Sequence, residues 1–149
     1  MEICLVYVSA AAGPMGRADL LGLLRQSRRD NLKAGITGLL LHMDGRFMQA
    51  LEGEQERVLA LYRRIAVDAR HARVTTLIKF AIPARAFPDW TMGFADIDGI
   101  RAEDRAGFSP FLQPSFDAAA YAGSPHQAVR LLERFRDVMS ARGASAGLP

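Results

Sequence analysis

The apolar positions of this chain switch between strand and helix periods in a regular order. Ile3 to Ser9 is a β-branched and apolar run and reads as a buried strand. Ala10 to Gly16 is a loop of small residues. From Arg17 to Leu32 the period becomes helical: Leu20, Leu23, Leu24, Ser27 and Asn31 recur at steps of three and four and share a face. Gly35 closes that helix. Ile36 to Met43 is a second strand, Asp44-Gly45 a two-residue hairpin signal, and Arg46 to Glu52 the returning strand. A second helix is predicted from Gln55 to Ala69, with Val58, Leu61, Tyr62 and Ile65 as its apolar stripe. Val74 to Ile82 reads as a fourth strand. Pro83 and Pro88 bracket a loop, and Thr91 to Ala95 reads as a fifth strand. The order βαββαβ plus one strand predicts an α+β, ferredoxin-like fold with two helices on one face of a mostly antiparallel sheet.

From Asp96 the composition shifts to Gly, Pro, Ala and Asp with weak periodicity, so residues 1–95 are read as the domain and 96–149 as a C-terminal helical extension. Ser124 suits an N-cap, Pro125 the first helical position and Gly143 the stop of a helix with Ala128, Leu131, Leu132, Phe135, Val138 and Met139 on one stripe. Cys4, Val6 and Val8 alternate with Leu5 and Tyr7, so both faces of the first strand are apolar. The extension is expected to pack Leu131, Phe135, Val138 and Met139 on the sheet face that the first two helices leave open.

Composition narrows the function. Half of the 149 residues are hydrophobic and 23% are charged, the balance of a globular domain. No apolar run approaches the ~20 residues of a membrane helix, so no membrane association is expected. The start Met1-Glu2-Ile3-Cys4 lacks the features of a signal peptide, and the single cysteine, Cys4, has no partner for an internal disulfide; a cytoplasmic setting is expected. The net charge is +3, with a modest cluster at Arg25, Arg28 and Arg29. That cluster comes without aromatic interleaving or a nucleic-acid-binding motif, so it reads as solvated surface and no nucleic acid partner is expected. No metal-ligand spacing is present.

The informative residues are polar ones in apolar positions. Ile3, Leu5 and Tyr7 point to one face of the first strand, and Phe47, Gln49 and Leu51 to one face of the third. A buried glutamine must satisfy two donors and an acceptor, so Gln49 is either on a solvent face or bonded to something specific. Leu23, Ser27 and Asn31 stack at steps of four on the first helix, a stripe that begins apolar and ends in a carboxamide. Taken singly, Tyr7 also fits a core tyrosine with a capped hydroxyl, and Asn31 a helix C-terminal residue. Taken together, they line one slot with a phenol and two carboxamides. A flat heteroaromatic ligand with alternating carbonyls and nitrogens satisfies such a set, and composition alone does not name it.

Several motifs carry a resemblance to a known family. Leu5-Val6-Tyr7-Val8-Ser9, Ser27-Arg28-Arg29-Asp30-Asn31 and Gly35-Ile36-Thr37-Gly38-Leu39-Leu40 are followed by Asp44-Gly45-Arg46-Phe47-Met48-Gln49-Ala50-Leu51-Glu52-Gly53. Asp68-Ala69-Arg70-His71 and Arg85-Ala86-Phe87-Pro88-Asp89-Trp90-Thr91-Met92 come next. In this order and spacing they resemble BLUF domains, sensors of blue light using FAD, over residues 1 to about 95. The resemblance implies a noncovalently bound FAD between the two helices, with FMN or riboflavin as substitutes because the recognised part is the ring. It implies that Tyr7 donates an electron and a proton to the excited flavin, and that Gln49 exchanges hydrogen bonds among Tyr7 and flavin N5 and O4. Asn31 becomes the partner of the flavin's other polar edge. Leu23 and Ile65 sandwich the ring, Ser27 joins the pocket, and Arg70 lies near the outer part of the cofactor. Trp90 and Met92 match the pair on the fifth strand associated with signal relay. His71 reads as a structural or surface histidine, and nothing is drawn from Asp30.

A small hydrolase of the acylphosphatase type and a cofactor-free interaction module are the other classes that this fold accommodates. The first needs an anion-binding loop and a positioned catalytic group; the loop at 10–16 ends in Arg17, but no nucleophile–base pair or phosphate loop accompanies it. The reading is therefore a photoreceptor and not an enzyme. No output domain is expected after residue 149, so the signal is expected to pass to a separate, unidentified signalling protein, and a homo-oligomer is expected.

Overall fold

Strand-forming residues dominate Glu2–Ala11, Thr37–Met43, Arg46–Glu54 and His71–Ala81, and these form strands β1 to β4. Helix α1 spans Arg17–Ala34, helix α2 spans Gln55–Ala66, and a short strand β5 spans Gly93–Asp96. The computed structural model describes residues 1–43, 45–88 and 91–96. The sheet order is β4-β1-β3-β2-β5. The first four strands pair antiparallel in the ferredoxin-like order, and β5 adds alongside β2 in parallel. The α+β fold predicted from the sequence is the fold observed.

Helix α1 starts where the Asp19 carboxylate accepts the Gly16 N–H at 3.0 Å. It ends at Gly35, whose φ of 66° is the left-handed cap that glycine adopts without steric cost. Its buried residues are Leu20, Leu23, Leu24 and Asn31. The three leucines pack with Ile3, Leu5 and Tyr7 of β1, Phe47 and Leu51 of β3, and Val58 and Leu61 of α2 as one core between helices and sheet. The second face of the sheet is closed as well. Val6, Leu39, Leu41, Met48 and Ala50 are 0% exposed, so the central strands are dry on both sides.

Several boundaries differ from the sequence expectation by one to three residues, and three of them have a visible cause. Helix α2 stops at Ala66 instead of Ala69, because Asp68 turns the chain: its side chain accepts the Arg70 N–H at 2.9 Å, and its carbonyl accepts the His71 N–H at 3.1 Å. β4 therefore begins at His71, three residues ahead of Val74. β5 begins at Gly93 instead of Thr91, since the Thr91 and Met92 carbonyls are taken by side chains of α1. Trp90, the extension 96–149 beyond Asp96, and its helix with Leu131, Phe135, Val138 and Met139 lie outside the described residues.

Candidate functional site

The sheet register brings the chemistry together. Tyr7 of β1 sits directly opposite Gln49 of β3, and Gln49 sits opposite Leu40 of β2. All three point toward the helices. A β-bulge in the β1–β4 pairing falls beside Tyr7, between Val6 and Tyr7, a common way to re-aim a functional side chain. Above these strands, α1 contributes Leu23, Ser27 and Asn31, one turn apart, and α2 contributes Leu61 and Ile65. The walls line an open cleft between the two helices and the sheet. Arg64, Asp68, Arg70 and His71 form its polar rim.

Tyr7 is fully buried, and its hydroxyl donates to Gln49 Oε1. Burial, then the neighbouring Tyr62 and the negative charge of Asp68, push the phenol well above its ordinary value, so it holds its proton. The Tyr62 ring packs edge-on at 5.5 Å. Gln49 Nε2 donates to the Met92 sulfur at 3.1 Å. A chain of contacts thus runs from β1 through β3 to the segment leading into β5.

Asn31 is 1% exposed and has divided loyalties. Its Nδ2 donates to the Thr91 carbonyl at 2.8 Å, while Oδ1 is buried without a hydrogen-bond partner among the described residues. Such an orphan costs about 1–3 kcal/mol unless a ligand donor meets it. A ring with an N–H flanked by carbonyls fits this acceptor, the apolar walls of Leu23 and Ile65 fit its faces, and the flavin ring has both properties. The residues present therefore fit a flavin.

At the rim, Arg70 forks onto Asp68, with Nη2 at 2.7 Å and Nε at 3.0 Å. The Arg70 guanidinium, against a smaller opposing effect of burial, holds the Asp68 carboxyl down at about 2. His71, read from sequence as structural or surface, lines the cleft and shares a hydrogen bond with Ser9 Oγ at 3.0 Å; burial lowers its pKa. Of the residues singled out from sequence, Tyr7, Leu23, Ser27, Asn31, Gln49, Ile65 and Arg70 line this one cleft, and Met92 touches it through Gln49. Sequence reasoning missed Gln26, Asp30, Leu40, Leu61, Arg64, Asp68 and His71 as lining residues. For His71 a signal existed in Ser9, a hydroxyl in an otherwise apolar strand. Among the described residues no cluster of three or more His, Cys, Asp or Glu stands ready for a metal, and no helix is long and apolar enough to cross a membrane.

Comparison with known proteins agrees with this geometry. The family described as sensors of blue-light using FAD matches residues 3–93. A photoactivated adenylate cyclase subunit beta from Euglena gracilis is 44% identical over 89 residues, 59% of this chain but 10% of that protein. The chain thus spans about a tenth of the length of the curated relatives it matches. Among solved structures, a bacterial light-regulated adenylyl cyclase superposes with a TM-score of 0.72 at 28% identity, covering 90% of this chain and 40% of the other. The dark-state structure of BlrB, a BLUF protein, gives a TM-score of 0.69 at 30% identity, covering 86% of this chain and 94% of the other.

Proposed function

Because the chain belongs to the BLUF family of blue-light flavin sensors, we propose that it is a receptor that holds FAD noncovalently between α1 and α2 and reads its excitation through Tyr7 and Gln49. The observation that carries this reading is the relay Tyr7–Gln49–Met92 beside a cleft with one orphaned acceptor, Asn31 Oδ1. Bound FAD supplies an oxidant that blue light switches on. Leu23 and Ile65 clamp the ring faces, Ser27 and Asn31 meet its polar edge, and Arg70 lies toward the outer cofactor. FMN and riboflavin satisfy the same ring contacts.

The residues perform the rest. Tyr7 gives up an electron and its hydroxyl proton, and both return, so no net reaction is left behind. What changes is the orientation of the Gln49 amide. In the observed arrangement Oε1 accepts from Tyr7 and Nε2 donates to Met92. A half-turn puts Nε2 toward the phenol and Oε1 toward a thioether sulfur, which has no proton to give. The Met92 contact is lost, and the segment entering β5 registers the switch. The output passes to a separate signalling partner, and a homo-oligomer is the form in which the receptor is expected to work. A reaction catalysed by the chain itself is not part of this reading.

The test is an absorption spectrum. Protein expressed with adequate flavin is expected to be yellow, to release FAD intact on denaturation and to show a small, reversible red shift of its blue band on illumination. Colourless protein that takes up no added FAD would sink the assignment.

A further inference from the structure

On the sheet face away from the cleft, a carboxylate is buried where packing alone calls for an apolar side chain. Glu52 is 1% exposed, lies three residues beyond Gln49 on β3, and pairs across the ladder with Cys4. Burying an unpaired carboxylate is costly; three donors offset part of that cost, and burial still holds the carboxyl above its ordinary value. Oε2 accepts the Ala86 N–H at 2.6 Å. Oε1 accepts the Phe87 N–H at 2.9 Å and the Thr37 hydroxyl at 3.3 Å. Arg85 adds its charge nearby, with Nη1 donating to Thr37 Oγ1 at 3.4 Å and Nε to Glu2 at 3.0 Å. Two of the three donors on Glu52 are consecutive backbone amides of the β4–β5 loop, a charge-assisted grip on the main chain. Phe87 then buries its ring to 2% exposure on the same face.

Five residues after Phe87, Met92 is held from the other side of the sheet by Gln49 and by Arg28 Nε on its carbonyl at 3.1 Å, while Asn31 holds the Thr91 carbonyl. One strand, β3, therefore holds the segment at two points, Gln49 in front and Glu52 behind. The two points differ in kind: an amide can turn over, whereas a carboxylate with both oxygens engaged has no second orientation to offer. We propose that Glu52 is a positioning residue for the light response, the fixed anchor that sets Met92 against Gln49 so that the amide's orientation is transmitted to β5. This rests on the reading of Gln49 as the switch.

The experiment uses the full-length FAD-loaded protein. In Glu52→Gln one carbonyl oxygen and one N–H2 replace two acceptors, so one loop amide faces a donor. The Tyr7–Gln49 chemistry is untouched, so the red shift is expected to form with unchanged amplitude. The return to the dark state rebuilds the Gln49–Met92 contact and is expected to slow about three- to ten-fold, the share of one charge-assisted hydrogen bond felt in that step. Hydrogen exchange at the Ala86 and Phe87 amides is expected to speed up in parallel. In a Met92→Ala background the substitution is expected to leave recovery unchanged, because the two act through one contact; a merely structural role would slow or destabilise both backgrounds alike. Recovery in Glu52→Gln equal to that of the parent, or equal slowing with and without Met92, overturns the anchor. If Glu52→Gln does not fold, Ala86→Pro removes the same grip from the loop side and is read in the same way. A parent protein without any red shift sinks the photoreceptor reading instead, so the two failures are distinct.

Discussion

At the scale of single residues, the site depends on a few polar atoms held in dry surroundings. Tyr7→Phe removes the hydroxyl and keeps the ring; flavin binding is expected to survive, since most of the binding area is apolar stacking, and the red shift on illumination is expected to vanish. A normal shift in that variant would remove Tyr7 from the mechanism. Asn31→Ala deletes the acceptor that waits for a ligand donor and is expected to weaken flavin binding about ten- to a hundred-fold, measurable by titrating the apoprotein. Asp68 carries a pH signature. Its carboxyl titrates near 2 in the fold against 3.8 unfolded, so its contribution is fully present above the unfolded value and disappears as the pH falls from about 4 toward 2. The Arg70 partner is more than a third exposed, so screening limits the effect to about 1 kcal/mol or less. Asp68→Asn is expected to lower the melting temperature at pH 7, and the gap to the parent is expected to close on acidification. Tyr7, Gln49 and Asn31 were legible because each is polar on a face that its neighbours make apolar. A common slot was legible from the topology, in which the strands of Tyr7 and Gln49 can be neighbours, but the register that sets the two residues opposite each other was not. His71 stayed hidden because the Asp68 turn that delivers it to the cleft begins β4 three residues early.

At the scale of elements, the periodicity located every strand and helix among the described residues, and three of its boundary errors sit at ends where side chains compete with the ladder or the helix. Asp68 cuts α2 short, and Asn31 and Arg28 draw the Thr91 and Met92 carbonyls out of β5. The tightest constraint among elements was not visible in the pattern. A Cβ on Gly38 would stand 1.9 Å from the Ala50 carbonyl oxygen and 3.4 Å from the Met92 methyl, so β2, β3 and the segment before β5 meet over a residue with no side chain. Gly38→Ala is expected to cost about 2 kcal/mol or more and to perturb the flavin spectrum, because relief requires β2 to move away from the strand that bears Gln49. A thermal melt and a dark spectrum matching the parent would show that the sheet yields there freely. For comparison, Leu24→Ala in the 1%-exposed heart of α1 is expected to cost about 2–5 kcal/mol by leaving a cavity while leaving the position of the flavin band unchanged.

At the scale of the whole molecule, the buried second face of the sheet sets the next expectation. Val6, Leu41, Met48 and Ala50 are completely dry, and the stripe of Leu131, Phe135, Val138 and Met139 remains our proposal for their cover. Truncation after Ala95 is expected to yield aggregating or markedly less stable protein; a soluble, stable monomer would assign the cover elsewhere. Light-scattering mass in darkness and under blue light tests the oligomer, and a monomer mass in both would exclude it. The sheet order also has an evolutionary side. Tyr7 and Gln49 lie on β1 and β3, each flanked by strands on both sides, whereas β5 lies at the margin of the five described strands. Whatever leans on that margin can change residue by residue while the neighbours of β1 and β3 stay in place, which is one way for this chain and a light-regulated adenylyl cyclase to share a fold.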